Sequence, residues 1–271
     1  MKYRIAENNR YSKYLIKWKH NQRIKSVDYG ELKKEIDEDA IIQEKIDGEL
    51  AIFEWKKGED PVFGSLGFAI RKDLPVLDEI VKILEAKGYN QATIFGDLAY
   101  SEKKGLPSHF NITMSKIRSP KSKEDEDKIH FYIFELDKLN GEKKSRSYKE
   151  YLESFDLLYK LFGSSKRTFP VEYFKGGKNL TKAWDKFVEK EKNEGIVVRE
   201  KGIIVKCKPG FTLDLAVIAF QEGKGKNKGK LGAFLTALYD GTDFILRAQK
   251  TPSFRKGMNA HPKNKNIQNK E

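Results

Sequence analysis

Short runs of β-branched and aromatic residues, separated by glycine, dominate the sequence between Ala40 and Gly210, and they restrict the fold more than any other feature. The runs are AIIQEKI, ELAIFEW, PVFGSLGFAI, QATIFGDLAY, HFYIFELDKL, EGIVVRE and GIIVKCKPG. Runs of this length and composition are typical of strands, and the last two predict a hairpin with its turn near residues 200–202. The region is therefore expected to fold around β-sheets.

Helical periodicity appears between these strands. Apolar residues at i, i+3, i+4 and i+7 from Leu77, with Pro75 early and Gly88 late, predict a helix in LPVLDEIVKILEAKGY. The polar stretch 101–127 is predicted to be a loop, with SPKSKEDEDK as its mobile part. Further helices are predicted over residues 29–37, 148–162 and 180–191.

A change of pattern at residues 209–214 predicts a domain boundary. Beyond it, LDLAVIAFQ, LGAFLTALYD and DFILRAQ are strand candidates, and the loop EGKGKNKGK separates the first two. Short strands with a basic loop are typical of a small antiparallel barrel of the OB type. Residues 1–210 are thus expected to form one domain, residues 211–251 a partial OB-fold domain, and residues 252–271 a basic, disordered tail.

The charge distribution indicates a polyanionic partner. The net charge is +13, and residues 222–271 hold eleven Lys or Arg against four Asp or Glu, a net of +7. Clustered positive charge is typical of nucleic-acid-binding surfaces, so Lys224, Lys226, Lys228 and Lys230 are predicted to contact phosphates. The alternative is that the excess lysine serves solubility or stability at high temperature.

Near the N-terminus, Tyr11, Tyr14 and Trp18 alternate with basic residues. This pattern fits either a nucleic-acid-binding face or a partly buried amphipathic segment with its lysines outside.

No apolar stretch is long enough for a transmembrane helix, and the first residues lack the apolar core of a signal peptide. The single cysteine, Cys207, excludes an intrachain disulfide. No membrane association is predicted, and an intracellular, cytoplasmic location is expected.

Lys45, in the sequence KIDG, is the candidate for covalent chemistry. A neutral lysine amine is a nucleophile, but at an ordinary pKa near 10.4 only about one molecule in 10³ is neutral at pH 7. Nearby cations or a bound metal would favour the neutral form. Gly48 allows a tight turn after this lysine, and Asp47 can order that turn. Taken alone, the short pattern K-x-D-G is a weak signal and more often marks a surface lysine at a β-turn.

Five segments change that interpretation because they occur in a fixed order: KIDG, IFGDLAY, HFYIFELDKLNG, EGIVVRE and IVKCKP. They resemble motifs I, III, IIIa, IV and V of the superfamily that contains ATP-dependent DNA and RNA ligases and mRNA-capping enzymes. The stretch DLAVIAFQEGKGKNKGKLGAFLTALYDG resembles the start of a DNA-ligase OB domain. The resemblance implies an α+β fold, with a nucleotidyltransferase (ATP-grasp-like adenylation) domain of antiparallel sheets and flanking helices, followed by a small, shortened OB-type barrel.

The resemblance also implies roles for the residues around the nucleotide. Lys45 would attack the α-phosphate of ATP, release pyrophosphate and keep AMP on its amine. Gln43 or Glu44, just before it, would read the adenine edge. Phe134 would stack against the purine. ATP and Mg²⁺ are the implied cofactors, with Mn²⁺ as an alternative metal.

Two acids and two lysines take the remaining motif positions. Asp97 would engage the ribose or a metal-bound water, and Glu194 would hold the metal. Lys206 and Lys208 would touch the α-phosphate. Mg²⁺ prefers one or two carboxylates together with phosphate and water oxygens, and alternation along a strand places the two lysines on one face.

The sequence departs from the family pattern at several positions. Leu50 stands where many DNA ligases and capping enzymes have arginine. Leu66 follows Ser65 where the motif Ia arginine is expected, so Arg71 is the nearest substitute for nucleotide binding. No motif VI is apparent, and Arg255 is a weak replacement for it. The OB domain is therefore expected to be shortened.

The resemblance predicts an ATP-dependent ligase that seals nicks in duplex DNA, acting as a monomer or completed by a partner protein. An RNA ligase acting on RNA-containing duplexes is an alternative, because FGDLAY resembles the motif III of RNA ligases and Leu50 departs from DNA ligases. A capping guanylyltransferase shares the K-x-D-G chemistry. A non-catalytic nucleic-acid-binding relative is the alternative from another class. NAD-dependent ligation is not expected, since the chain lacks room for that family's extra domains.

Overall fold

The computed structural model describes residues 2–5, 10–102, 107–145, 147–210, 216–239 and 244–246. The chain divides into two compact units, residues 1–210 and residues 211–271. The predicted tail, residues 252–271, lies outside the described residues. Within the described ranges, no helix is both long and apolar enough to cross a membrane.

The first unit contains a large sheet that is antiparallel except at one edge. Its order is β1-β6-β5-β4-β7-β8-β10, with β9 also paired to β8, and only β10 runs parallel to its neighbour. The strands are β1 (Lys2–Ile5), β4 (Glu49–Lys56), β5 (Val62–Ser65), β6 (Ala69–Lys72), β7 (Gln91–Tyr100), β8 (Ile129–Leu139), β9 (Glu142–Lys143) and β10 (Thr168–Pro170). The segment PVFGSLGFAI forms the hairpin of β5 and β6, because Phe68 turns the chain with φ 62°.

The second sheet of this unit has five strands in the order β11-β3-β12-β13-β2. The strands are β2 (Ile24–Val27), β3 (Ile41–Lys45), β11 (Tyr173–Lys175), β12 (Gly195–Glu200) and β13 (Ile203–Cys207). The predicted hairpin near residues 200–202 is confirmed, since β12 and β13 pair in antiparallel register around that turn. The strand β2 runs parallel to β13.

Helices flank both sheets. They are α1 (Arg10–Asn21), α2 (Tyr29–Glu35), α3 (Pro75–Ala86), α4 (Phe110–Arg118), α5 (Lys123–Asp127), α6 (Tyr148–Phe162) and α7 (Leu180–Trp184), the last continuing as a π-helix over Asp185–Lys190. The predicted helices at 75–86 and 148–162 are confirmed, and the first begins with proline at its N-terminus. The mixed α and β fold with antiparallel sheets is therefore as predicted.

Three apolar clusters hold these layers together. The main core lies between one face of the large sheet and helices α3 and α6. A smaller cluster joins α1 to the sheet through Leu15, Ile52 and Phe95, with Tyr14 and Trp18 partly buried beside it. The third joins the five-stranded sheet to α2 and α7. The N-terminal aromatic residues therefore follow the second interpretation, a partly buried amphipathic segment.

The prediction of a loop over residues 101–127 is wrong for its second half. Helix α4 buries Thr113, Met114 and Ile117, and α5 is capped by the Ser122 hydroxyl, which accepts a hydrogen bond from the amide of Asp125. The ammonium of Lys116 lies 2.7 Å from the Asp125 carboxylate and ties the two helices together. The polar composition concealed these helices, and α4 also depends on a distant contact, since the amide of Phe110 donates a hydrogen bond to the carboxylate of Asp47.

The second unit contains an antiparallel sheet formed by β14 (Ala216–Glu222), β15 (Leu231–Tyr239) and β16 (Phe244–Leu246). The three strand candidates predicted there are thus confirmed. The basic loop between β14 and β15 includes a single 3₁₀ turn at Gly225–Asn227. The side chains of Lys224, Lys228 and Lys230 are exposed.

Candidate active site

A cavity of about 220 Å³ in the first unit is lined by residues from both of its sheets and from α1. Six of the thirteen predicted site residues line it, and Glu194 is connected to it through its ion pair with Lys45. The predicted residues that line it are Gln43, Glu44, Lys45, Asp97, Phe134 and Lys206. The sequence therefore located this cavity, although the roles of these residues remain predictions.

Lys45 is the last residue of β3, and alternation along the strand determines where its amine points. Gln43 and Lys45 share one face of β3, and Ile42 and Glu44 share the other. The register pairs Lys45 with Gly195 of β12. The amine of Lys45 forms an ion pair with the carboxylate of Glu194. The lysine predicted to be covalent is thus partly buried and held by an acid that directly precedes the neighbouring strand.

Glu194 is held by two cations. Its second carboxylate oxygen pairs with the amine of Lys208. Burial opposes ionisation of Glu194, but the hydrogen bonds from Lys208 and Lys45 outweigh burial, and the pKa lies below its ordinary value. The acid is therefore a carboxylate at neutral pH.

Two glycines allow the backbones around Lys45 to approach each other. A Cβ atom on Gly195 would overlap the carbonyl oxygen of Cys207, and one on Gly48 would lie 2.8 Å from the carbonyl oxygen of Leu98. Real side chains do not tolerate such contacts. Gly195 thus lets β12 lie against β13 beside Glu194, and Gly48 brings the turn after Lys45 onto β7 beside Asp97.

Asp97 and Lys206 form the other charged wall of the cavity. Burial raises the pKa of Asp97 to about 6, although the charges of Lys45 and Lys206 oppose that rise. Burial, together with the neighbouring charge of Lys45, lowers the pKa of Lys206. The charges of Lys45 and Lys206 thus offset part of the effect of burial on the Asp97 carboxylate.

Phe134 reaches the cavity through an irregularity in β8. The register pairs Phe95 with Glu135 and Gly96 with Ile133, so Phe134 has no partner on β7. Such a bulge redirects a side chain that strict alternation would place elsewhere. The ring of Phe134 lies 6.1 Å from that of Trp18 in α1. The predicted stacking residue therefore presents its ring at the cavity wall.

Arg199, in β12, also lines the cavity and was not identified from the sequence. Its Nε donates a hydrogen bond to Oε1 of Gln43 at 3.0 Å, and its Nη1 lies 3.2 Å from Oε2 of Glu135. The guanidinium lies 4.4 Å from the ring centre of Tyr151 and 5.5 Å from that of Phe134. The sequence around Arg199 did not indicate a role in the site, because its partners come from distant parts of the chain.

Gln43 and Glu44, the two candidates for reading the base, lie in different surroundings. The amide nitrogen of Gln43 donates to the Tyr151 hydroxyl at 2.9 Å, beside Phe134 and Arg199. The carboxylate of Glu44 accepts hydrogen bonds from the backbone of Glu172 and the side chain of Asn193. Only Gln43 belongs to the network that surrounds the predicted stacking ring.

Other predicted residues lie elsewhere. Arg71 is fully buried in β6, where it pairs with the Glu49 carboxylate at 2.7 Å and does not line the cavity. Its position on the buried face of the strand explains this outcome. Leu50 and Leu66 do line the cavity. They give it an apolar wall at the two positions where the family pattern has arginine. The basic loop belongs to the second unit.

The donor set suits a hard cation that also binds phosphate oxygens. In the ranges that the structure describes, no three His, Cys, Asp or Glu side chains cluster as a complete metal site. Asp97 and Glu194 are close enough for the charge of Glu194 to raise the pKa of Asp97. Mg²⁺ is commonly held by one or two carboxylates, with water and substrate phosphates completing its shell, so these two residues fit it.

The chain is thus a two-unit α+β protein with a lysine in the cavity of its first unit. No protein-family model matches the chain, and no curated protein matches its sequence. Solved structures do share its fold. One of them comes from a study of Lig E DNA ligases and of DNA binding with a minimal scaffold. It aligns with a TM-score of 0.56 at 19% identity, and the alignment covers 84% of this chain and 83% of that one.

Two further structures, Pmar-Lig_PreS3 and Pmar-Lig_Pre, align with TM-scores of 0.61 and 0.63, each at 18% identity. They cover 90% and 87% of this chain, which spans 60% and 57% of theirs. The chain therefore has the fold of DNA ligases.

Proposed function

We propose that the protein is an ATP-dependent polynucleotide ligase that seals nicks in duplex DNA through AMP bound covalently to Lys45. One observation carries the proposal. Lys45 lines a cavity together with Asp97, Lys206 and Phe134, and its amine pairs with the carboxylate of Glu194; these groups suit nucleotide transfer to lysine. The ligase fold supports it.

In the first step, Nζ of Lys45 attacks the α-phosphorus of ATP. A P–N bond forms, the bond to the bridging oxygen breaks, and pyrophosphate leaves. The amine must be neutral to attack. Glu194 is a poor proton acceptor because its pKa is lowered, so the proton leaves to solvent. Glu194 holds the amine in position, and Lys206 and Lys208 neutralise charge on the α-phosphate.

Mg²⁺, or Mn²⁺ in its place, would be held by Asp97 and Glu194. When bound it would supply charge neutralisation at the phosphates. On the nucleotide side, Phe134 provides an aromatic face for the purine, and Gln43 provides an amide for its edge. Arg199 fixes the orientation of that amide, because a guanidinium only donates hydrogen bonds and therefore requires the carbonyl oxygen of Gln43 on its side.

The later steps use the same pocket. AMP passes from Lys45 to the 5′-phosphate at the nick, and the 3′-hydroxyl then attacks that phosphate and releases AMP. In this proposal residues 1–210 are the adenylation domain and residues 211–251 a partial OB domain. The exposed lysines of the basic loop bind phosphates of the duplex.

Labelling with nucleotide tests the first step. The wild type, incubated with α-labelled ATP and Mg²⁺, should retain label after denaturation, and Lys45→Ala should retain none. Lys82→Ala, which removes an exposed lysine on α3, should label like the wild type. Wild-type protein that never acquires label would overturn the proposal, and label from GTP alone would indicate a capping enzyme.

A gel assay on two nicked duplexes tests the substrate. The proposal expects ligation of nicked DNA, lost in Lys45→Ala. Ligation confined to an RNA-containing duplex would make the protein an RNA ligase. If no adduct forms, and Lys45→Ala binds nucleic acid as well as the wild type does, the protein is a binding relative without ligase activity.

A further inference from the structure

Glu44 and Lys45 are consecutive in β3, and each contacts one of two other consecutive residues, Asn193 and Glu194. On one face of β3 the amine of Lys45 pairs with Glu194. On the other face, Oε2 of Glu44 accepts a hydrogen bond from Nδ2 of Asn193 at 3.1 Å. The two contacts form a pair of rungs between β3 and the segment that leads into β12.

Glu44 is itself firmly anchored. Its Oε1 accepts a hydrogen bond from the amide of Glu172 at 2.7 Å, and its own amide donates to the carbonyl of Glu172 at 3.0 Å. Side chain and backbone of Glu44 therefore bind the same residue just before β11. The carboxylate is a fixed point from which Asn193 can be held.

The segment held by Glu44 is short and sharply turned. Lys192 adopts the left-handed conformation with φ 60°. The amide of Asn193 donates to the carbonyl of Phe187 at 2.9 Å. That backbone bond and the rung to Glu44 are the two hydrogen bonds that hold Asn193 within the described residues. The rung thus fixes this segment from one side, while the ion pairs with Lys45 and Lys208 hold Glu194 from the other.

The surroundings of Glu44 make a carboxylate without hydrogen-bond partners unfavourable at this position. Burial raises the pKa of Glu44 to about 7, and the charges of Glu172 and Glu191 add to the rise while Lys186 opposes it. A buried carboxylate costs free energy unless its hydrogen bonds compensate. The bonds to Glu172 and Asn193 supply that compensation.

We infer that Glu44 is a positioning residue for nucleotide transfer, which holds Asn193 and thereby sets Glu194 at the level of the Lys45 amine. The inference rests on the proposed function. It assigns Glu44 a role other than reading the adenine edge, since its carboxylate is directed to Glu172 and Asn193. Gln43 keeps the base-side position.

A double-mutant cycle tests the inference. The rate of lysyl-AMP formation is measured in single turnover at saturating ATP for Glu44→Ala, Asn193→Ala and the double variant. Removing a residue that orients a metal or catalytic ligand typically costs about tenfold or more, so each single variant should be about tenfold slower. Because both act through one contact, the double variant should be no slower than either single variant.

Two further measurements separate positioning from general damage. ATP affinity should change less than the rate in all three variants, because the hydrogen bonds that they remove join Glu44 to Asn193 and Glu172 and do not involve Gln43 or Phe134. Glu44→Gln, which keeps one acceptor oxygen, should recover part of the rate. Glu191→Gln is the matched control, because Glu191 lies in the same acidic region but pairs with Lys186. It should adenylate like the wild type.

The outcomes that overturn the inference differ from those that overturn the proposed function. Wild-type rates in the single variants, or effects that multiply to about a hundredfold in the double variant, would refute positioning through Asn193. If thermal unfolding shows that Glu44→Ala does not fold, Asn193→Ala and Glu44→Gln decide the question alone. A wild type that forms no adduct refutes the ligase proposal, and the inference falls with it.

Discussion

The cavity of the first unit and the basic loop of the second use positive charge in opposite ways. In the cavity, Lys45 is paired with Glu194, and Lys206 lines the cavity together with Asp97, whose carboxylate feels its charge. In the loop, Lys224, Lys228 and Lys230 are exposed. Charge in the cavity is fixed by partners and partly removed from water, whereas charge in the loop is open to solvent and salt.

This difference predicts how each region responds to substitution. Buried, paired charges respond strongly, because removing one partner leaves the other without compensation. Exposed charges contribute in small increments that salt screens. The effects should therefore be large and position-specific in the cavity, and small and cumulative in the loop.

The sharpest contrast is between a buried and an exposed ion pair. Arg199→Met leaves Glu135 buried without its cation, and should lower the free energy of unfolding by about 3 kcal/mol. Lys201→Met removes an exposed pair with Asp39 and should change stability by less than about 0.5 kcal/mol. Denaturant titration measures both. Equal effects would contradict the proposed contrast between buried and exposed charge.

Lys206→Ala tests the cavity's charge in catalysis. Loss of one preorganised group that stabilises transition-state charge typically costs about 10²-fold in rate, and a similar slowing of lysyl-AMP formation is expected. Lys25→Ala, on the adjacent strand β2 and exposed, is the matched control and should keep the wild-type rate. If Lys206→Ala forms lysyl-AMP as fast as Lys25→Ala does, Lys206 is not part of the phosphate site.

Asp97 should make stability depend on pH. Its folded-state pKa of about 6 exceeds the ordinary 3.8, so folding favours the protonated form. That contribution is fully present below pH 3.8 and is lost as the pH rises through about 6. The free energy of unfolding of Asp97→Asn, compared with that of the wild type, should therefore rise by on the order of 2 kcal/mol between about pH 4 and pH 7. Parallel stability curves would contradict the burial of this carboxylate.

The smallest effects are expected in the loop. Substituting glutamine for Lys224, Lys228 or Lys230 should lower the slope of the salt dependence of DNA binding by about 0.9 for each phosphate that the loop no longer neutralises. Lys87→Gln, an exposed lysine at the end of α3, serves as the control. A slope that stays at the wild-type value in the triple variant would remove the loop from the DNA-binding surface.

The sequence predicted well wherever local pattern decides structure. Helix α6 has a strong apolar period and a serine cap, and β3 with Lys45 is marked by its apolar run and the glycine that follows. Helix α4 was missed because its N-terminus is capped from a distance. The amide of Phe110 donates to the carboxylate of Asp47, 63 residues earlier, at 2.8 Å.

The sequence identified the motif residues of the site, but it did not identify the residues that hold them in place. Lys45, Asp97 and Glu194 stand in recognisable segments, whereas Arg199 gains its importance only from Gln43 and Glu135, which folding brings to it. The different surroundings of Gln43 and Glu44 were likewise invisible, since the two are adjacent and both polar. Which face of β3 each occupies depends on the pairing with β11 and β12.

The irregular register of β8 has a consequence for how this pocket could be remodelled. Phe134 and Asp137 are the two residues of that strand that the pairing with β7 skips. Phe134 lines the cavity, and Asp137 accepts a hydrogen bond from the Tyr14 hydroxyl at 2.6 Å. Neither residue has a partner on β7, so a substitution at either leaves every pair between β7 and β8 unchanged. The wall of the cavity at Phe134 can therefore be reshaped by exchanging one side chain that takes no part in the pairing of the sheet.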